Sequence, residues 1–171
     1  SIKKAEGESE VPNMFRFGMT LTMQEEYNAI EYYGRGPIEN YSDRNSSEWI
    51  GIYKQSVESQ YYPYIRPQES GNKTDVRYWK VVNDEGKGLM FYGTEALSMS
   101  SLNFATEDLD EGMSKVNRHS GDLVPRKSTT VHVDKVQAGL ACVNSWGAIP
   151  LEQYRLPHGD YEYTFVIAPV R

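Results

Sequence analysis

The 171-residue chain sets 18 Lys and Arg against 24 Asp and Glu, a net charge of −6. Without a basic stripe it lacks the electrostatic footprint that nucleic acid demands, so nucleic-acid binding is excluded. No apolar run approaches the ~20 residues of a membrane-spanning helix, and a single cysteine, Cys142, excludes an internal disulfide framework and any multi-cysteine metal site.

The opening run "SIKKAEGESE" is polar and reads as a start within a longer protein, with no secretory signal expected. Next, Phe15, Phe17, Met19, Leu21 and Met23 alternate with Arg16, Gly18, Thr20 and Thr22, which predicts a strand with one face on a core. "YYGRGPIENYSDR" (Tyr32 to Arg44) is too glycine-broken for a helix and too charged for a buried strand. It reads as a structural corner, with Gly34 and Gly36 at backbone angles closed to other residues and Asp43 and Arg44 holding neighbouring loops. "VRYWKVV" (Val76 to Val82) leads through "NDEGKG" into "LMFYG", a hairpin signature.

Further along, "TEDLDEGMSKVNR" (Thr106 to Arg118) has room for a short helix, with Thr106, Glu107 and Asp108 at its start. "TTVHVDKVQAG" (Thr129 to Gly139) predicts another strand. A final one follows from Tyr161, Tyr163, Phe165 and Ile167 alternating with Glu162, Thr164 and Val166. Short strands with Gly, Pro and Asn punctuation, and no break in composition, predict an all-β fold: one antiparallel β-sandwich domain over residues 1–171.

Catalytic signals are sparse. Glycoside hydrolysis needs two carboxylates ~5–10 Å apart across a bond. Glu25, Glu26, Glu39, Glu69, Asp108, Asp110 and Glu111 supply acids, but mostly within polar runs that read as solvated surface. His119, His132 and His158 are too far apart in sequence for ligand spacing, with a surface role expected for His132 and His158. Cys142 reads as a small buried residue, and no G-x-S-x-G elbow is present.

Aromatic residues carry more information: 13 Tyr and 3 Trp, with a cluster in "YYPYIRPQESGN". Sugars offer flat C–H faces to such rings while polar side chains meet their hydroxyls. Trp79, inside a strand, is expected in the core. Trp146 lies in "ACVNSWGAIP", outside any alternation, where a large ring loses burial unless it fills a binding surface.

Four motifs in order, "GRGPIENYSDR", "YYPYIRPQESGNKTDVRYW", "GLACVNSWG" and "LPHGDYEYTFVI", resemble the carboxy-terminal domain of the large bacterial β-galactosidases of glycoside hydrolase family 2. The resemblance runs from about Met14 to Val170. It implies a large antiparallel super-sandwich of the galactose mutarotase-like kind, here a truncated piece. It also implies that both catalytic glutamates and the magnesium ligands belong to a separate (β/α)₈ barrel. No catalytic residue, metal or cofactor is therefore expected in this chain. Trp146, with Asn144 and Ser145 before it, matches the family's substrate-stacking tryptophan. The parent enzyme is expected to be a homo-oligomer acting on terminal β-galactosides, in bacterial cytoplasm or periplasm.

Under the same resemblance the "GRGPIENYSDR" corner lies beneath the sugar-facing edge. The "RPQESGN" loop is expected beside it, with Arg66 and Glu69 as mutual partners. Two alternatives stand: a standalone carbohydrate-binding module, and a mutarotase-like epimerase. The second requires a histidine and a carboxylate to converge, and the spacing of the three histidines gives no such pairing.

Overall fold

A computed structural model describes residues 1–4, 7, 11–110, 112, 119–141, 144 and 147–171. Within them two antiparallel sheets pack face to face. One has the order β1 (Arg16–Gln24), β8 (Ser128–Gln137), β7 (Leu97–Leu102), β4 (Lys73–Val76). The other has the order β3 (Trp49–Ser56), β2 (Ala29–Gly36), β5 (Tyr78–Val82), β6 (Gly88–Gly93), β9 (Phe165–Val170). The all-β sandwich expected from the alternating pattern is therefore present. Among the described residues helix is confined to one turn, α1 (Thr106–Leu109), before which the amide of Ala105 donates to Asp108 Oδ2 at 2.8 Å, and to short 3-10 turns.

The core lies between the sheets. Val131 and Val133 of β8, Met99 of β7 and Met23 of β1 face Tyr32 of β2, Trp79 and Val81 of β5 and Phe91 of β6. Met19 and Leu21 of the predicted first strand pack against this core, whereas Phe15, ahead of β1, is 84% exposed. Trp79 is fully buried, stacks on Tyr32 at 4.7 Å and donates its indole N–H to Ser101 Oγ of the opposite sheet at 2.9 Å. A single side chain thus ties the two layers together.

Two local readings change. "VRYWKVV" is not one strand: Val76 pairs with Leu97 in the first sheet, whereas Tyr78–Val82 pair with β2 and β6 in the second. The chain crosses between layers there, with Asp75 at φ 57°. Apolar residues on both sides of the crossing reach the same core from opposite sheets, so the sequence reads continuously where the backbone does not. Nor do Gly34 and Gly36 occupy positive φ. Both lie inside β2, so the corner begins only after Gly36, and a Cβ would strike Val76 at Gly34 (2.9 Å from Cγ2) and the Tyr32 hydroxyl at Gly36. Close approach, rather than backbone angle, requires glycine there.

Candidate functional site

The long connections converge at one end of the sandwich around the corner that follows β2. The chain leaves β2 through a cis Gly36–Pro37 peptide. Asn40, fully buried, then acts as a hub: its amide nitrogen donates to Arg35 O and Ile38 O, and its side-chain oxygen accepts from Thr74 N and Thr74 Oγ1 at 2.8 and 2.6 Å. Asn72 Nδ2 donates to Asn40 O, and Ser98 Oγ of β7 donates to Asn72 Oδ1. Corner and sheet are thereby joined by a saturated polar network, the state in which buried polar groups add rigidity.

Glu39 is the second tie. Its carboxylate accepts from Gly71 N at 2.7 Å and from the hydroxyls of Ser70 and Tyr64, and pairs with Arg44 at 2.8 Å. Its side chain is only 6% exposed, so this acid is a structural anion and not the solvated residue expected from the polar run. Tyr64 is shifted up to about 12, by burial first and then by its hydrogen bond to Glu39. The corner and the "RPQESGN" loop do lie side by side, as expected. Nearby, Lys73 Nζ donates to Gln60 Oε1 at 2.9 Å and to Gly71 O, and burial brings it down to about 8.

Glu69 does not pair with Arg66, which is exposed; it pairs with Arg16 of β1 at 2.7 Å. Arg16 also approaches Asp134 of β8 at 3.5 Å, without hydrogen-bond geometry to either carboxylate oxygen. Asp134 is 1% exposed, and burial pushes it up to about 7, with Arg16 pulling down and Glu69 pushing up again. Burial also raises Glu69. His132 is buried beside them and accepts from or donates to Thr20 Oγ1 at 2.9 Å. Burial, then the charge of Arg16, lowers it to about 3, so it is neutral. The expectation that His132 is superficial is thus wrong, whereas its ring pairs with Thr20 and, among the described residues, with no carboxylate. Strand period explains it: Thr20, His132 and Asp134 all turn away from the core face of Val131 and Val133, onto one side of the sheet. His132 and Asp134 are buried on that side, while Thr20 on edge strand β1 is exposed.

The third connection carries the expected sugar contact. Cys142, Val143, Ser145 and Trp146 lie outside the described residues; Asn144 is exposed. The footing of that segment is described. Gly139 N donates to Tyr154 O at 2.8 Å, and Ala141 N donates to Asp43 Oδ2 at 2.7 Å. The corner and the "GLACVNSWG" segment, 98 residues apart in this pairing, therefore meet directly. Among the described residues no group of three or more His, Cys, Asp or Glu is arranged to hold a metal ion.

Aromatic placement is mixed. Tyr61 packs on Phe104, and Tyr62 pairs with Tyr64 while remaining 53% exposed. One aromatic escaped the sequence reading: Trp49, at the start of edge strand β3, is 81% exposed. Its local signal was an apolar run, "WIGIY", that resembles any buried strand.

Comparison with known proteins decides the family. The family described as "Beta galactosidase small chain" matches residues 1–167. The chain belongs to the β-galactosidase small-chain family. It is similar to a β-galactosidase of Priestia megaterium, 34% identical over 171 residues, which covers 99% of this chain and 16% of that protein. It is similar also to a β-galactosidase of Streptococcus thermophilus, 31% identical over 167 residues, 96% of this chain and 16% of the relative. A β-galactosidase of Halalkalibacterium halodurans is 29% identical over 169 residues, again covering 16% of the relative. This small-chain sandwich spans about 16% of the length of the curated relatives it matches.

Proposed function

We propose that this small-chain sandwich is the carboxy-terminal part of a β-galactosidase whose reacting groups reside in a separate barrel domain. The observation that supports it is the family match along residues 1–167 of a chain covering only 16% of its relatives' length. The parent reaction is retaining hydrolysis of terminal β-galactosides through a covalent glycosyl-enzyme on a carboxylate. Magnesium, in this reading, is held by the barrel, and no step runs through residues of the sandwich. The sandwich contributes Trp146, flanked by Asn144 and Ser145, as an apolar platform against a sugar ring. Its footing on the Asn40, Glu39 and Asp43 network suits that role, because a stacking ring is useful only when its position is fixed.

Aromatic stacking is worth about 1 kcal/mol beyond area burial. In the full-length enzyme, Trp146→Ala is therefore expected to raise KM for a chromogenic β-galactoside about fivefold, with kcat changing less. Unchanged steady-state constants would remove Trp146 from the site. The 171-residue chain alone is expected to give no turnover, and measurable hydrolysis by it would move the reacting groups into the sandwich.

A further inference from the structure

We infer that Asp43 is a positioning residue for the sugar-contact segment, fixing its backbone at Ala141 by gripping that residue's amide. As a role in substrate binding, this rests on the reading of Trp146 above; as an anchor, it rests on geometry alone.

Four features make the grip. The backbone of Asp43 is itself fixed, because Tyr41 and Arg44 exchange backbone hydrogen bonds (Arg44 N to Tyr41 O, 2.9 Å; Tyr41 N to Arg44 O, 3.3 Å) around it. Tyr41 is fully buried, and Arg44 reaches across to Glu39 and the Tyr64 hydroxyl at 2.8 and 2.7 Å. Second, the Asp43 carboxylate directs its charge at one partner: Oδ2 takes the Ala141 N–H at 2.7 Å, while Oδ1 is buried with no hydrogen bond. A charge-assisted bond of that kind is roughly twice as strong as a neutral one.

Third, Ala141 has φ 58°, a left-handed backbone that alanine keeps only where its surroundings hold it. The amide that Asp43 accepts belongs to that residue. Fourth, the approach is built for contact. A Cβ on Gly139 would lie 2.6 Å from Asp43 Cγ and 2.9 Å from Tyr154 Cβ, so only glycine lets the chain pass between them. In sequence, Trp146 follows five residues after Ala141.

The test uses the full-length enzyme with D43A, D43N, W146A and the double variant D43A/W146A. KM and kcat are measured for a chromogenic β-galactoside, and hydrogen exchange is followed for the peptide containing Ala141. Asn keeps an oxygen that can accept the Ala141 N–H, so D43N should stay within about twofold of wild type in KM. D43A should raise KM about fivefold with little change in kcat and should add nothing to W146A. Exchange at Ala141 should quicken about tenfold or more in D43A and not in D43N. Unaltered exchange in D43A, equal loss in D43N and D43A, or a KM effect that multiplies with W146A would overturn the proposal. If W146A alone leaves KM unchanged, the sugar reading falls while the exchange data still decide the anchor. Should D43A fail to assemble, D43S is read by the same criteria.

Discussion

The outer faces of the two sheets differ in kind. On the five-stranded sheet, β3 alternates intermediate and exposed residues, and Ile52 is 64% exposed. On the four-stranded sheet all six residues of β7 are buried, and β8 is buried from Thr129 to Asp134. Residues 68–72 cover that second face through Glu69 to Arg16 and Asn72 to Ser98. β3 ends in water, whereas β7 and β8 are the floor on which a long connection rests; edge strand β1 of the same sheet leaves Gly18, Thr20, Thr22 and Gln24 exposed. The covered part of the four-stranded sheet therefore holds buried ionisable groups that the open face of β3 does not: Arg16 pairs with Glu69, while Asp134 is raised by burial and His132 is neutral.

Three substitutions test that contrast. The largest effect belongs to the layer shared by both sheets. Trp79→Ala removes a fully buried ring and leaves Ser101 without its inter-sheet partner, at an expected loss of about 3–5 kcal/mol. Urea unfolding measures it, and a loss below about 1 kcal/mol would show that the sheets do not depend on one another as described.

Asp134→Asn probes the covered face through pH. The folded value of Asp134, about 7, lies above its ordinary 3.8. Between those values the folded state holds a proton that the unfolded chain has lost, so its stabilising contribution is complete below about pH 4 and disappears as pH rises through 7. His132 runs the other way: its folded value, about 3, lies below 6.5, so its contribution is present above 6.5 and lost as pH falls through 3. Across pH 4 to 6.5 the two slopes oppose each other. The Asn variant removes only the Asp134 slope and should gain on wild type between pH 4 and 8, by on the order of 1–3 kcal/mol in total. A stability difference that does not vary with pH would refute the buried-acid account.

The smallest effect is expected on the open face. Ile52→Thr, on edge strand β3, should change stability by no more than about 0.5 kcal/mol. A much larger loss in the full-length enzyme than in the chain alone would mean that this face is covered by another part of the parent protein.

Local pattern was enough for several strands and for Trp79 in the core, but not for β2, β3 or β7, where no strand is read from the sequence. Alternation from Phe17 to Met23, the hairpin through "NDEGKG" and the run from Thr129 are all read from neighbours two residues apart, and β1, β5, β6 and β8 follow them. Trp79 was likewise placed in the core by its strand alone. The reading failed where partners are distant. Glu69 was assigned to the nearby Arg66 but pairs with Arg16, 53 residues away. Glu39 and His132 were assigned to the surface because charge and imidazole usually stay there; each is enclosed by partners from other segments.

By itself the sequence determined that this chain is an antiparallel all-β sandwich of the β-galactosidase small-chain kind, because side-chain alternation and short ordered motifs are local and survive without a fold. Only the tertiary structure decided that Val76 and Tyr78 belong to different sheets, that Arg16 serves two acids, and that Asp43 meets Ala141 across 98 residues. Such pairings depend on how the chain returns through space, and a hydrogen bond between remote segments leaves no periodic mark on either of them.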